Sequence, residues 1–139
     1  MKKLFYFAFM AMLCCGFTAC GNDDGGVGDT NLLYGRWTCV QEVEVEEGEW
    51  YVENFTPGEL ILNFDKDGTG YVVESEYGHY YTDPFRYTLL GNLLTIYYTG
   101  ETQGETKKVT KLTNSELVLL SEGQDEYGYW KEEWTFVRF

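Results

Sequence analysis

The segment from Asp65 to Glu76 carries acidic and hydroxyl side chains at the spacing of a calcium-binding loop. The pattern D-x-D-x-T-G-x5-E would supply oxygen ligands around a tight glycine turn, with the final glutamate delivered by a following helix. Here the residues after Gly70 favour a strand, which would carry Glu76 roughly 20 Å from Asp67 at about 3.3 Å per residue. The segment therefore predicts a β-hairpin that holds no metal.

Residues that could perform catalysis are scarce in the rest of the chain. His79 is the single histidine, which excludes a site built from several histidines. The sequence has no Gly-x-Ser-x-Gly motif, no phosphate-binding glycine loop and no Cys–His pair. Glu42, Glu44, Glu46 and Glu47 alternate along a predicted strand and its exit, which indicates a solvated outer face. We therefore expect a protein that is not an enzyme and uses no cofactor.

Aromatic side chains are the best candidates for binding. They cluster in the longer predicted connections and at adjoining strand ends, where rings suit stacking on a ring, a sugar face or a partner protein. Three polar residues, Gln41, Ser75 and Glu132, fall on the predicted inner face. The alternative is that these aromatics fill a barrel that holds no ligand. The candidate ligand-binding residues are Trp50, Tyr51, Tyr77, His79, Tyr81, Tyr98, Trp130 and Glu132.

Strands must position these residues, because no segment from Gly35 onward has a helical period. Short β-branched and aromatic runs recur at the spacing of an all-β sandwich or barrel. The eight predicted strands are 36–45, 59–64, 69–77, 84–90, 93–98, 105–112, 116–121 and 130–139.

Two turn signals set the predicted register. Asp67-Gly68 and Gly91-Asn92 both suit two-residue hairpin loops. The first would pair Leu62 with Val73, so that the bulkier apolar residues share one face. The first strand would turn one set of side chains to the core, namely Trp37, Cys39, Val43 and Val45.

Short and long connections alternate along the predicted strands. The links at 65–68, 91–92 and 113–115 are tight, and those at 46–58, 78–83, 99–104 and 122–129 are longer. Alternate connections of an up-and-down antiparallel barrel lie at opposite ends, so one end should be closed and the other rimmed by loops. We predict an all-β fold, an eight-stranded antiparallel up-and-down barrel that is filled by side chains or holds one small ligand. A two-sheet sandwich is the alternative.

The first twenty residues carry a processing signal. Lys2 and Lys3 precede an uncharged apolar segment that ends in small residues, the pattern of a secretory signal peptide. Cys20 directly after Thr18-Ala19 resembles the lipobox of bacterial lipoproteins, which implies that this cysteine is acylated. The predicted organisation is a signal peptide over 1–19, a lipidated cysteine and flexible tether over 20–31, and a barrel domain over 32–139. The implied location is the bacterial outer membrane, lipid-anchored and either periplasmic or surface-exposed.

The chain is strongly acidic, with a formal net charge of -13 at pH 7. This sign argues against nucleic acid and against a direct electrostatic hold on anionic lipid, so the membrane would be contacted through the anchor alone. It is compatible with a cationic ligand or a basic protein partner. Cys39 is the one cysteine of the predicted domain, so packing must stabilise the barrel without an internal disulfide.

Motifs near both ends of the predicted domain resemble those of lipocalins. Gly35-x-Trp37 opens the first strand, and the resemblance implies that Trp37 packs at the closed end beneath Arg138 of the last strand. A guanidinium over an indole contributes about 0.5–2 kcal/mol. Thr113-Asn114-Ser115 stands where lipocalins have Thr-Asp-Tyr. Four further segments are similar to the lipocalin-like domains of Bacteroidota lipoproteins: 62–70, 93–96, 112–119 and 134–138.

The resemblance and the rim aromatics together predict a lipid-anchored envelope protein that binds a small apolar or aromatic ligand at the open end of its barrel. One alternative is a protein-binding module, such as a barrel-type inhibitor of a basic hydrolase. Another is an accessory envelope lipoprotein with no ligand. Acidity at the rim favours the protein-binding module, whereas a cavity with inward polar groups favours the small ligand.

Overall fold

The computed structural model describes residues 27–139, which form a short 3-10 helix and nine strands. The helix is Thr30–Leu33, and the strands are β1 (Gly35–Glu46), β2 (Glu49–Asn54), β3 (Leu60–Phe64), β4 (Thr69–Glu76), β5 (His79–Leu90), β6 (Leu93–Tyr98), β7 (Glu105–Leu112), β8 (Glu116–Asp125) and β9 (Gly128–Arg138). The predicted signal peptide and Cys20 lie outside the described residues. Within the described part of the chain, the search for a helix able to cross a membrane found none.

Eight of the strands close into an antiparallel barrel. The order is β1, β3, β4, β5, β6, β7, β8 and β9, and β9 returns to pair with β1. One edge of β1 pairs with β3 through its first half and with β2 through its second half, while β9 pairs along its other edge. The predicted up-and-down barrel is confirmed, with β2 as an additional strand, and the sandwich is excluded.

The closed end is the end where the chain enters β1 and leaves β9. Trp37 is fully buried there, and its Nε1 donates a hydrogen bond of 2.8 Å to the carbonyl of Leu33. The Arg138 guanidinium lies 3.8 Å from the centroid of the Trp37 ring and donates to the carbonyls of Leu32 and Tyr34 at 2.6 and 2.7 Å. The packing that the lipocalin resemblance implied is present and seals this end.

The strand β2 lies in a stretch that the sequence predicted as a long loop. Glu47 and Gly48 have φ angles of 52° and 82°, and they form a two-residue turn that folds β2 back onto β1. Two residues of positive φ are what a tight hairpin of this kind requires. The turn could not be recognised from the sequence, because Glu47 occupies a position of positive φ, which is uncommon for a residue other than glycine.

Two other connections predicted to be long are also tight. The turns are Tyr77-Gly78 between β4 and β5 and Glu126-Tyr127 between β8 and β9. The flanking strands continue through most of the residues that were predicted as loops. The open end, which lies opposite the closed end, is therefore rimmed largely by extended hairpins.

The hairpin between β3 and β4 confirms the strand prediction but not its register. Phe64 pairs with Gly70 and not with Tyr71, because the Asp65 amide donates to the Thr69 carbonyl at 2.8 Å and pairing resumes one residue earlier. A shift of one residue exchanges the two faces of a strand. The inward set of β4 is therefore Gly70, Val72 and Glu74, whereas Val73 and Ser75, which were predicted to face inward, lie on the other face.

A β-bulge reverses the faces of β1 partway along its length. The register with β9 shifts by one residue between Cys39 and Gln41. Because a bulge inserts one unpaired residue, the alternation of side chains changes phase beyond it. Glu42 and Glu44 then lie on the inner face, where Glu42 is opposite the core residue Trp134, so their predicted outward orientation is wrong. The residues predicted to face inward that turn outward are Gln41, Val43 and Val45.

Candidate ligand-binding site

The barrel wall has a gap at the open end between β2 and β4. Pairing of β4 with β3 ends near the hydrogen bond from the Ser75 amide to the Glu59 carbonyl, at 2.8 Å. Within residues 27–139, β2 pairs with β1 alone. The gap opens into a groove of about 880 Å³ that extends down to the core residue Leu60. Its volume lies in the range of small-molecule sites.

Carboxylates and aromatic rings line this groove. The walls of the groove are formed by β1, β2 and β4, and Tyr77 in the turn between β4 and β5 closes one side. The carboxylates are Glu42, Glu44, Glu53, Glu59, Glu74 and Glu76, and the aromatic residues are Trp50, Tyr51, Phe55 and Tyr77. Neither lysine nor arginine is among the lining residues in the described part of the chain.

The electrostatics of the groove favour a positive ligand. Burial raises the pKa of Glu74, and the neighbouring carboxylates of Asp83 and Glu76 raise it further. Like charges held together disfavour ionisation, and an entering cation would relieve that repulsion. The rings at the rim offer π faces on which a cation or an aromatic group can lie.

A buried lysine lies on the inner face of β7. The Lys107 ammonium is 2.7 Å from Glu132 and 2.8 Å from Glu105, and it donates to Ser121 Oγ at 3.4 Å. It is 8% exposed and lies 6.0 Å from the centroid of the Trp134 ring. Burial lowers the pKa of Lys107, but the two carboxylates outweigh burial and the net shift is upward. Lys107 thus remains charged and holds Glu132 toward the interior.

The structure brings together only some of the predicted binding residues. Trp50, Tyr51 and Tyr77 line the groove. Tyr98 lines a second, smaller cavity of about 440 Å³ beside β5 and β6. The remaining members lie outside both lining sets: His79 and Tyr81 are exposed on β5, and Trp130 and Glu132 lie on the inner face of β9.

The sequence analysis did not identify the inward glutamates of β1 and β4 or the buried lysine. The glutamates were assigned to the wrong face by a bulge and by a register shift of one residue. Lys107 had a detectable signal, because Glu105, Lys107 and the buried Val109 occupy alternate positions along β7. Charged residues in phase with a core residue indicate a polar cluster inside the barrel.

The sequence profile of the lipocalin-like domain family matches residues 33–119 of this chain. The match covers more than half of the chain, and the protein therefore belongs to the lipocalin-like domain family. Members of this family are typically binding proteins. No curated protein matches the chain by sequence.

Solved structures support the same fold. A lipocalin-like protein from Bacteroides uniformis is 20% identical, with a TM-score of 0.59 over 78% of this chain and 99% of that one. An uncharacterized protein from Bacteroides eggerthii is 15% identical, with a TM-score of 0.58 over 77% and 99% of the two chains. Lobster apocrustacyanin A1 is 14% identical, with a TM-score of 0.57 over 80% and 63%. At these identities the likeness shows the fold alone.

Proposed function

We propose that this protein is a lipid-anchored binding protein of the bacterial outer membrane whose ligand occupies the groove between β2 and β4. The ligand would be a small molecule that joins an apolar or aromatic body to a positively charged group. The observation that carries this proposal is the lining of the groove, where carboxylates of three strands face one space rimmed by aromatic side chains. The positive group, with which the acidic composition is compatible, adds to the apolar or aromatic ligand that the sequence suggested.

Attachment through Cys20, which the lipobox resemblance implies, would orient the barrel. The described chain enters the barrel at the closed end, so an anchor that precedes it would leave the open end pointing away from the lipid surface. Such an arrangement keeps the groove accessible. Metabolic labelling with a fatty-acid probe should tag the wild-type protein and not Cys20→Ala, and equal labelling of both would contradict the anchor.

Ligand binding can be tested with a matched pair of probes. An aromatic quaternary ammonium compound and its neutral isostere should both quench tryptophan fluorescence, because Trp50 borders the groove. We expect the cationic probe to bind roughly tenfold more tightly, since a desolvated cation–π contact and nearby carboxylates add about 1.4 kcal/mol or more.

Charge-removing variants locate the site. Glu44→Gln together with Glu74→Gln should abolish most of the preference for the cationic probe. Glu133→Gln removes the same kind of charge from the outer face of β9, where Glu133 pairs with Lys131 at 3.1 Å, and should leave the preference unchanged. Equal binding of the two probes by the wild type would show that the groove does not select for charge, and no binding at all would overturn the proposal.

A further inference from the structure

One backbone edge of β2 faces the groove. Hydrogen bonding alternates along an antiparallel pair, and the bond of 3.0 Å from the Phe55 amide to the Val40 carbonyl shows which residues face β1. Every second residue of β2, counted from Phe55, bonds to β1, and the residues that alternate with these point their amides and carbonyls the other way, toward β4. These residues are Trp50, Val52 and Asn54, and no strand within residues 27–139 pairs with this edge.

An edge of this kind can accept an additional strand. All of β2 is exposed, and the space between its free edge and the end of β4 is the groove itself. Unpaired amides and carbonyls in a row are a template for pairing with another extended chain. A strand placed there would continue the sheet from β2 toward β4 and would close the gap in the barrel wall.

We propose that the groove accepts an extended, basic segment of a partner protein, which adds to the free edge of β2 as a strand. Main-chain hydrogen bonds would supply affinity, and alternate side chains would supply specificity. Those that point inward would share the face of Tyr51 and Glu53 and would meet the carboxylates of Glu44 and Glu74. Lysine or arginine at every second position is therefore the expected pattern of the partner.

The charge of the groove selects among occupants of the edge. A second copy of this chain would place Glu49 and Glu53 against the same carboxylates, and like charges directly opposite each other are destabilising. A basic segment instead complements a groove whose lining contains six glutamates. This inference rests on the proposed function for the location of the site and adds a basic peptide as a second occupant, which would compete with the small ligand for the same groove.

A synthetic peptide with lysine at alternate positions and threonine or valine between them tests strand addition. It should bind the wild-type protein and slow amide hydrogen exchange at Trp50, Val52 and Asn54. The same peptide N-methylated at alternate residues keeps its charge but loses hydrogen bonds, and we expect roughly tenfold weaker binding or more, since each bond contributes about 1 kcal/mol. If the N-methylated peptide binds as tightly as its parent, the attraction is charge alone and strand addition is wrong.

Variants of one residue separate the peptide from the small ligand. Val52→Pro removes an amide that points toward the groove, at an edge position where proline is tolerated, and Val52→Thr keeps that amide as the matched control. Compared with Val52→Thr, Val52→Pro should weaken the peptide roughly tenfold further. Because Val52 lines the groove, both variants can change the affinity for the cationic probe, but they should change it equally, since the probe forms no strand hydrogen bonds. Equal weakening by both variants would overturn strand addition, and if Val52→Pro lowers the melting temperature, the N-methylated peptide on wild-type protein decides. If the peptide binds but neither small probe does, the proposed small ligand is wrong and strand addition is retained.

Discussion

The closed end and the open end of the barrel treat their polar groups differently. At the closed end the buried indole N–H of Trp37 has a carbonyl partner, and the guanidinium of Arg138 is both stacked and hydrogen-bonded. At the open end burial raises the pKa of both Glu74 and Glu105, so these carboxylates are held where their ionised form is disfavoured. Burial disfavours the charged form at the closed end too, since it lowers the pKa of Arg138. There, however, carbonyls and an indole compensate the buried charge, whereas Glu74 at the groove lies among further carboxylates.

This difference indicates which end is kept for function. Packing alone would favour apolar residues at the positions of the groove glutamates, because partly buried carboxylates close to one another cost free energy. A half-buried carboxyl with a raised pKa that lies among other carboxylates, as Glu74 does, is typical of binding sites. Arg36, Lys66 and Lys111 lie toward the closed end, and Lys107 and Lys131, which lie nearer the open end, are outside the lining of the groove.

The largest effect should come from the core of the closed end. Trp37→Ala should lower the free energy of unfolding by about 3–5 kcal/mol, because it empties a fully enclosed site. Trp50→Ala removes an indole that is 67% exposed and should change it by about 0.5 kcal/mol or less. Urea unfolding measures both values, and similar costs for the two tryptophans would remove the distinction between the ends.

The arginine that covers Trp37 should follow in size. Arg138→Ala should cost about 2–3 kcal/mol, because a cation–π contact and charged hydrogen bonds to backbone carbonyls are lost together. Arg36, whose guanidinium lies 4.9 Å from the Phe139 ring centroid at the C-terminus, provides the control. Arg36→Ala should cost about 1 kcal/mol or less, and an equal loss for both arginines would mean that Arg138 does not seal the barrel.

Inside the barrel, Lys107→Met should cost about 1–3 kcal/mol at pH 7, because Glu105 and Glu132 lose the cation between them. The loss should shrink as the pH is lowered, because burial raises the pKa of Glu105 and a protonated Glu105 no longer needs the cation. Lys131→Met breaks the Glu133 pair on the outer face and should cost about 1 kcal/mol or less at pH 7 and at lower pH. A Lys107 cost that does not vary with pH would contradict the coupling to Glu105.

At the groove, Glu74→Gln should stabilise the protein. A carboxyl whose pKa is higher in the folded than in the unfolded state, here above 4.5, binds its proton more tightly when folded. The contribution of Glu74 to stability therefore falls as the pH rises from its unfolded-state pKa through its higher folded-state pKa, and it is unfavourable at pH 7. We expect the melting temperature to rise by roughly 2–4 °C at pH 7, with little change near pH 4. A lower melting temperature at pH 7 would show that Glu74 has a stabilising partner.

The smallest effect is expected from calcium at the β3–β4 hairpin. Asp67 Oδ1 already accepts hydrogen bonds from the amide and hydroxyl of Thr69 at 3.0 and 2.6 Å, and Glu76 lies at the far end of β4. Millimolar calcium and excess chelator should give melting temperatures within about 1 °C of each other. Calcium would raise the melting temperature only if it bound the folded protein. A calcium-dependent rise of several degrees would place a metal site near the closed end.

Several features could be predicted from local sequence. Gly91-Asn92 predicted a two-residue hairpin loop, and the structure confirms it, with Leu89 paired to Leu94 across the turn. The Gly-x-Trp motif with Arg138 indicated the closed end, and the structure places that arginine over the indole. These features depend on turn chemistry, on a period of two, or on a known motif, and each can be read within a few residues.

The faces of β1 and β4 could not be predicted in the same way. Alternation shows that successive side chains oppose each other, but a shift of one residue exchanges every inner and outer position. The hydrogen bond from the Asp65 amide to the Thr69 carbonyl decides which face of β4 points inward. For β1 the inward face is decided by pairing with β9, which lies at the opposite end of the chain. The sequence by itself therefore determined an acidic, aromatic-rich barrel with a sealed end. Only the tertiary structure decided that the glutamates of β1 and β4 face the groove, because strand register is settled by contacts between segments distant along the chain.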